Sequence, residues 1–339
     1  MRWFKFLSGL ALAALLLSAP QAAALGAARG MAQWYASVAP ALFPFLALMP
    51  LLTCDEAATV YELLLGRAMR ALFDLPGSTA PALAVGMIAG SPAGAVAARR
   101  IAARSGMDRG QLQRLAVAGA GFSPAFLVGG VGAGMLGSAA LGWRLLLGQL
   151  LTQLTLLVAT RRLWRDRVQP VEPLPEVAEA SPVRSAVLVA LTICGYMALF
   201  GALTGALRAW IGRGASNALL CLLDVPSGAR LLAASGAASG AEARIVLPLL
   251  AGMCGFGGIC VAAQNLRALK GCGIPAGEYL AARLLAAGLC AGFVALMAHF
   301  DGPGRLPFDA VRQNPLAAAA LVACALSVPV LVKMRKSIS

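Results

Sequence analysis

Apolar stretches of roughly eighteen or more residues recur along the whole chain, clearest at 6–26, 35–53, 139–160, 185–207, 276–297 and 315–332. At about 1.5 Å of rise per residue, each is long enough to cross a hydrocarbon core of about 30 Å. In lipid no water is available to the amides, so each segment must close its own backbone hydrogen bonds, which a helix does unaided. The composition agrees: 60 % of the 339 residues are apolar and 12 % are charged, against about 25 % charged in soluble domains. The expected fold is an all-α polytopic membrane protein.

A net charge of +14 raises the question of nucleic acid. The basic residues, however, form short clusters between apolar runs, with no interleaved aromatics on which bases would stack. They read instead as topology signals, because Lys and Arg concentrate in cytoplasmic loops. Arg2 and Lys5 put the N-terminus inside, and RRLWRDR (161–167) begins a cytoplasmic linker to residue 184. The basic ending KMRKSIS fits an inside C-terminus, whereas Arg208, Arg213, Arg230 and Arg244 fall on outside loops and run against the rule. Residues 1–26 also resemble a signal peptide, with small residues at Ala22–Ala24; a retained helix is the preferred reading.

The two sides of the linker look like copies. GFSPAFLVGGVGAGMLGSAALGWRLLLGQLL (121–151) falls without a gap on GFGGICVAAQNLRALKGCGIPAGEYLAARLL (255–285), 134 residues further on. Gly121 meets Gly255, Phe122 meets Phe256, Gly137 meets Gly271, and Leu146 and Leu150 meet Leu280 and Leu284. DLPGS (74–78) resembles DVPSG (224–228) at a slightly different offset. Each half then offers a hairpin candidate (75–98; about 216–238), a broken helix (111–136; 243–269) and a continuous helix (139–160; 276–297). The first hairpin is interrupted at Gly90-Ser91-Pro92, where Gly and Pro end one short helix and start another; a single kinked span is the alternative. The segment 39–53 runs inward and 185–207 outward, so the expectation is two inverted-topology repeats with re-entrant hairpins and broken transmembrane helices. The divisions are an N-terminal transmembrane or signal-like helix (1–34), a first repeat (35–160), the linker (161–184), a second repeat (185–297), an extracytoplasmic loop (298–314), and a C-terminal helix with basic tail (315–339).

A broken helix is tolerated in lipid only where it is buried in protein or lines a cavity. That makes Gly121, Ser123 and Pro124, with Gly255, Phe256, Gly257 and Gly258, candidate substrate-binding positions, joined by Ser91 and Pro92 at the hairpin. Gln264 and Asn265 add amide groups of the kind that read a neutral polar solute. Glycine-mediated helix packing explains the same motifs, GGVGAGMLGS (129–138) above all, without any ligand. Arg144, Glu278 and Arg283 are candidate intramembrane charges. Arg144 and Glu278 occupy equivalent positions near helix starts, where snorkelling accounts for them, and Glu278 has Arg283 or a coupling cation as alternative partners. Gln149 and Gln153, one turn apart, read as interhelical hydrogen-bonding groups.

Enzyme chemistry has little to work with. There is no Walker motif, GxSxG, HExxH or kinase set, His299 is the sole histidine, and the eight cysteines lack CxxC pairing, so no enzyme activity, cofactor or metal site is expected.

APALFPFLALMPLL (39–52), DLPGSTAPALAVGMIAGSPAGA (74–95), GFSPAFLVGGVGAGMLGS (121–138) and GFGGICVAAQNLRAL (255–269) together resemble the YlbJ group of sporulation integral membrane proteins. That group in turn resembles the nucleoside-recognition Gate domain of concentrative nucleoside transporters. The resemblance covers about 35–297 and implies a Gate-like fold, with Gly90, Ser91, Pro92, Gly94, Gly121, Ser123, Pro124, Gly255 to Gly258 and Gln264 at motif positions. Ser91 stands where the family often has tyrosine, and Ala118, Gly119 and Ala120 where it often has asparagines. The implied function is a secondary transporter of a small polar solute, nucleoside-like or other, needed for spore or cortex formation. The alternative is a non-transporting structural or assembly protein that serves as a platform in the sporulating envelope. Expected partners are membrane lipids, the solute, and sporulation membrane proteins or further copies of the chain, with no nucleic acid.

Overall fold

The computed structural model describes residues 2–105, 107–163, 181–211, 213–236 and 243–300. Most of the linker and the expected last span at 315–332 lie outside the described residues. Within them the architecture is helical, with fourteen α-helices joined by short turns and three π-helical segments.

The first apolar run is not one straight crossing. α1 (Arg2–Ser18) and α2 (Pro20–Gln33) meet at 101°. Pro20 is the cause: it lacks an N–H and drives the preceding residue out of the helical region, and Ala19 sits at φ −144°, ψ 62°. α2 passes through a π-helical turn (Trp34–Val38) into α3 (Ala39–Leu52), whose Pro40 and Pro44 remove ladder donors and loosen the helix there. At Thr53–Cys54 the chain bends by 85° into α4 (Asp55–Ala68). Asp55 and Glu56 in its first turn complement the helix dipole, and Leu63 and Leu64 stay exposed. An acidic first turn with exposed leucines beyond it makes α4 amphipathic, the pattern of a helix suited to a membrane surface.

α9 (Pro182–Arg208) packs most extensively on α2. The contact is backbone against backbone: a Cβ on Gly26 would meet the Gly201 carbonyl, with its carbon 2.8 Å away, and one on Gly30 would meet Met197. Apolar burial gives membrane helices little reason to associate, so close approach through small residues holds such pairs.

The repeat is deeper than the sequence alignment indicated. Five elements of one half fall on five of the other at the same 134-residue offset. α5 (Ala80–Ile88) corresponds to α10 (Arg213–Leu223), and α6 (Ala93–Ser105) to α11 (Val225–Gly236). α7 (Arg109–Ala118) corresponds to α12 (Ala243–Phe256), and the π-helical segment Ala125–Met135 to α13 (Gly258–Ala268). α8 (Ala139–Leu163) corresponds to α14 (Ala276–Phe300). This corrects one pairing: DVPSG (224–228) is the counterpart of GSPAG (90–94), at the tip of each helix pair, and not of DLPGS (74–78).

α5 folds back on α6, and α10 on α11. A Cβ on Gly94 would sit 2.7 Å from the Gly86 Cα, and one on Gly228 2.7 Å from the Cys221 Cα. Both pairs are therefore hairpins rather than kinked spans. Among the described residues, α8, α9, the pair α12–α13 and α14 are long and apolar enough to cross a membrane, and Ala125–Met135 is a shorter apolar helix.

Candidate functional site: a cavity where four helix breaks meet

Each break leaves backbone groups that an unbroken helix would have satisfied. In the first half α7 stops at Ala118, and residues 119–123 are non-helical before Pro124 opens the π-helical segment. The Gln149 side chain, reaching across from α8, closes this gap in both directions. Its Oε1 accepts from Phe122 N–H at 2.8 Å, and its Nε2 donates to the Phe122 carbonyl at 2.8 Å. Ser123 Oγ accepts from Phe126 N–H at 3.2 Å, which caps the new helix.

The second break lies at Gly257 and Gly258, with φ of 89° and 77°, a region costly for any residue with a Cβ. Here the exposed groups are helix-terminal carbonyls, and the matching side chain is Arg283 on α14. Arg283 is 4 % exposed, and its guanidinium donates to the carbonyls of Gly255 and Phe256, the latter at 3.1 Å. It also donates to Val117 at the end of α7, at 3.2 Å. A cation at two helix C-termini is favoured by both dipoles. Gln149 and Arg283 are 134 residues apart, as are Phe122 and Phe256. The same position of each repeat closes the same break, a neutral amide where one N–H and one C=O are open and a cation where only carbonyls are.

The hairpin tips dock on these breaks. Ser91 N–H donates to the Gly121 carbonyl at 2.7 Å, and Gly90, with φ 79°, lies so close that a Cβ would be 2.8 Å from Ser123 N. At the other tip the Asp224 carboxylate accepts from Ser227 N–H at 3.2 Å and caps α11. A Cβ on Gly258 would lie 3.1 Å from the Leu223 carbonyl.

Between the four discontinuities lies a cavity of about 70 Å³, room for a few waters. Ser91 faces it from the first tip, Phe122, Ser123 and Phe126 from the first break, Asp224 and Pro226 from the second tip, and Cys260, Val261 and Gln264 from α13. Val38, Leu42, Ile193 and Met197 close the sides. A larger opening of about 690 Å³ lies against α4, bordered by Asp55, Glu62, Arg67 and Arg70, away from the breaks.

Three of the expected site residues, Ser91, Ser123 and Gln264, meet at the cavity. Asn265 stands behind it, donating to Ser91 Oγ at 3.2 Å and to Tyr279 OH at 2.8 Å. Pro92, Gly121, Pro124 and Gly255 to Gly258 shape the breaks. Arg144 and Glu278 are half-buried and do not line the cavity. Glu278 accepts from Gln113 Nε2 at 3.2 Å, while the hydrogen bonds of Arg283 go to carbonyls; the alternative pairing of these two is corrected accordingly. Sequence reasoning missed Asp224. Extending the 134-residue offset upstream to Gly90 would have placed it at the second tip.

Paired hairpins and paired broken helices around a central cavity define the class, a multi-pass α-helical membrane protein built from two structural repeats. No protein-family model matches the chain, and no solved structure matches it. The chain is similar to the sporulation integral membrane protein YlbJ of Bacillus subtilis (strain 168), with 32 % identity over 174 residues. That stretch is 50 % of this chain and 43 % of the relative, so the match spans less than half of the relative's length. Over that stretch the chain is YlbJ-like, and it is an integral membrane protein.

Proposed function

We propose that the protein is a secondary carrier for a small polar solute in the bacterial cytoplasmic membrane, serving spore formation as the name of its relative suggests. The observation that carries this reading is the cavity at which both broken helices and both hairpin tips meet. Backbone breaks at membrane depth are costly unless they line a cavity or are buried in protein, and inverted repeats that hold substrate at their broken helices are a recurrent plan of secondary transporters. Ser91, Ser123 and Gln264 supply the hydrogen bonds, and the rocking of one repeat against the other supplies access.

The test is ligand-dependent thermal stabilisation in detergent, followed by uptake in liposomes, across a panel of nucleosides and amino acids. A saturable shift that Ser123→Ala and Gln264→Ala weaken by about tenfold, or roughly 1.4 kcal/mol, is the expected result. A flat response across the panel, with the variants folded, favours a non-transporting platform.

A further inference from the structure

Among the described residues that line the central cavity, Asp224 is the one with a carboxyl group. An ionisable side chain at membrane depth is costly unless it is paired. Its neighbours compensate it in part. Ser227 N–H and the N-terminus of α11 face one carboxylate oxygen, and Arg230 lies further along the same helix with its guanidinium engaged by Gln33 Oε1 of α2.

A second observation is independent of that helix terminus. Gln264 is 6 % exposed and lines the same cavity from α13, yet its one recorded hydrogen bond is a weak donation from Nε2 to Cys260 Sγ at 3.4 Å. Its amide oxygen is an acceptor available to the cavity. The Phe122 and Phe126 rings, with centroids 4.9 Å apart, form another wall, and aromatic faces attract cations. A carboxylate, an amide oxygen, two serine hydroxyls and two aromatic rings, without a basic side chain among the lining residues, would repel an anion and receive a positive group.

We infer that the cavity is a cation site in which Asp224 is the counter-ion and Gln264 the hydrogen-bonding partner, and that its ligand is a monovalent cation or a solute carrying one ammonium group. The inference rests on the carrier reading and narrows its substrate class. It excludes anionic solutes as substrates unless a cation accompanies them.

The test uses the full-length protein in detergent at constant ionic strength. Melting is followed with sodium chloride, with ethanolammonium chloride, and with ethylene glycol as the neutral counterpart of the latter. Asp224→Asn removes the charge while retaining a good helix cap, and size-exclusion chromatography confirms that it folds. Saturable stabilisation of several degrees by a cation, lost in Asp224→Asn and absent with ethylene glycol, is the expected result. A response to sodium alone identifies a coupling ion, and a response to ethanolammonium identifies the substrate's own group; both are Asp224-dependent and support the site. Cation responses that are flat, or unchanged in Asp224→Asn, overturn it. A neutral solute that binds through Gln264 equally well in Asp224→Asn overturns the cation site and leaves the carrier reading standing.

Discussion

Replacing Arg283 by Met removes the side chain that ties both helix breaks together while keeping most of its volume. Three carbonyls lose a charged donor: Gly255 and Phe256 in one repeat and Val117 in the other. Hydrogen bonds to charged groups contribute about 1.5–3 kcal/mol each, so the gross loss is roughly 5–9 kcal/mol. Against this, the variant no longer buries a guanidinium, a cost of several kcal/mol. The Val117 carbonyl keeps the Ala120 N–H at 3.3 Å, so the net destabilisation is expected at about 2–4 kcal/mol. At roughly 2–4 °C per kcal/mol for chains of 150–250 residues, tryptophan-monitored melting in detergent should fall by about 4–16 °C. Arg283→Gln installs the residue that the first repeat uses at this position and can serve its own break but not Val117, so its loss should be about half as large. Melting of Arg283→Met within a degree of wild type, or a larger loss in Arg283→Gln, would refute the idea that this position closes the break.

The remaining predictions address packing and the surface. Gly90→Ala forces a Cβ onto a φ of 79° with Ser123 N 2.8 Å away and should cost about 2–3 kcal/mol. Gly137→Ala, with φ 66° and open space around it, should cost only about 1 kcal/mol, so equal melting losses would contradict the docking of the first tip. Gly201→Leu drives a side chain into the Gly26 backbone and should lower the yield of folded protein, with a loss of about 3 kcal/mol or more. For Glu62, burial pushes the carboxyl up, but the Arg70 pair and the Ser78 and Gly77 amides outweigh it and hold the carboxyl below the ordinary glutamate range. Its contribution is therefore full at neutral pH and is lost as pH falls through that lowered value. Amide exchange at Ser78, corrected for the intrinsic pH dependence, should accelerate over that acid range in wild type and lose this step in Glu62→Gln.

The cores of α8, α9 and α14 were readable as spans because length and hydropathy are local properties, and lipid imposes a helix on any segment that has both. The break positions were readable for a similar reason. Gly90-Ser91-Pro92, Gly121 to Pro124 and Gly257-Gly258 interrupt a helix through missing donors or a missing Cβ, whatever surrounds them. The bend at Pro20 was equally local, and attention to run length alone passed over it.

What the tertiary structure decided is which side chain answers each break. Gln149 reaches Phe122 and Arg283 reaches Phe256 across 27 residues of sequence, and only the rotation of α8 and α14 about their axes turns those positions inward. The same packing put Asp224 on the cavity and Asn265 behind it, although Asn265 adjoins Gln264 in sequence: neighbouring helical residues point about 100° apart, so one faces the cavity and the other the Ser91 and Tyr279 hydroxyls. Membership of the bilayer, the number of breaks and the repeat follow from residue order, because they depend on composition along the chain. The identity of the groups that meet at the centre depends on distances between helices, which no single segment encodes.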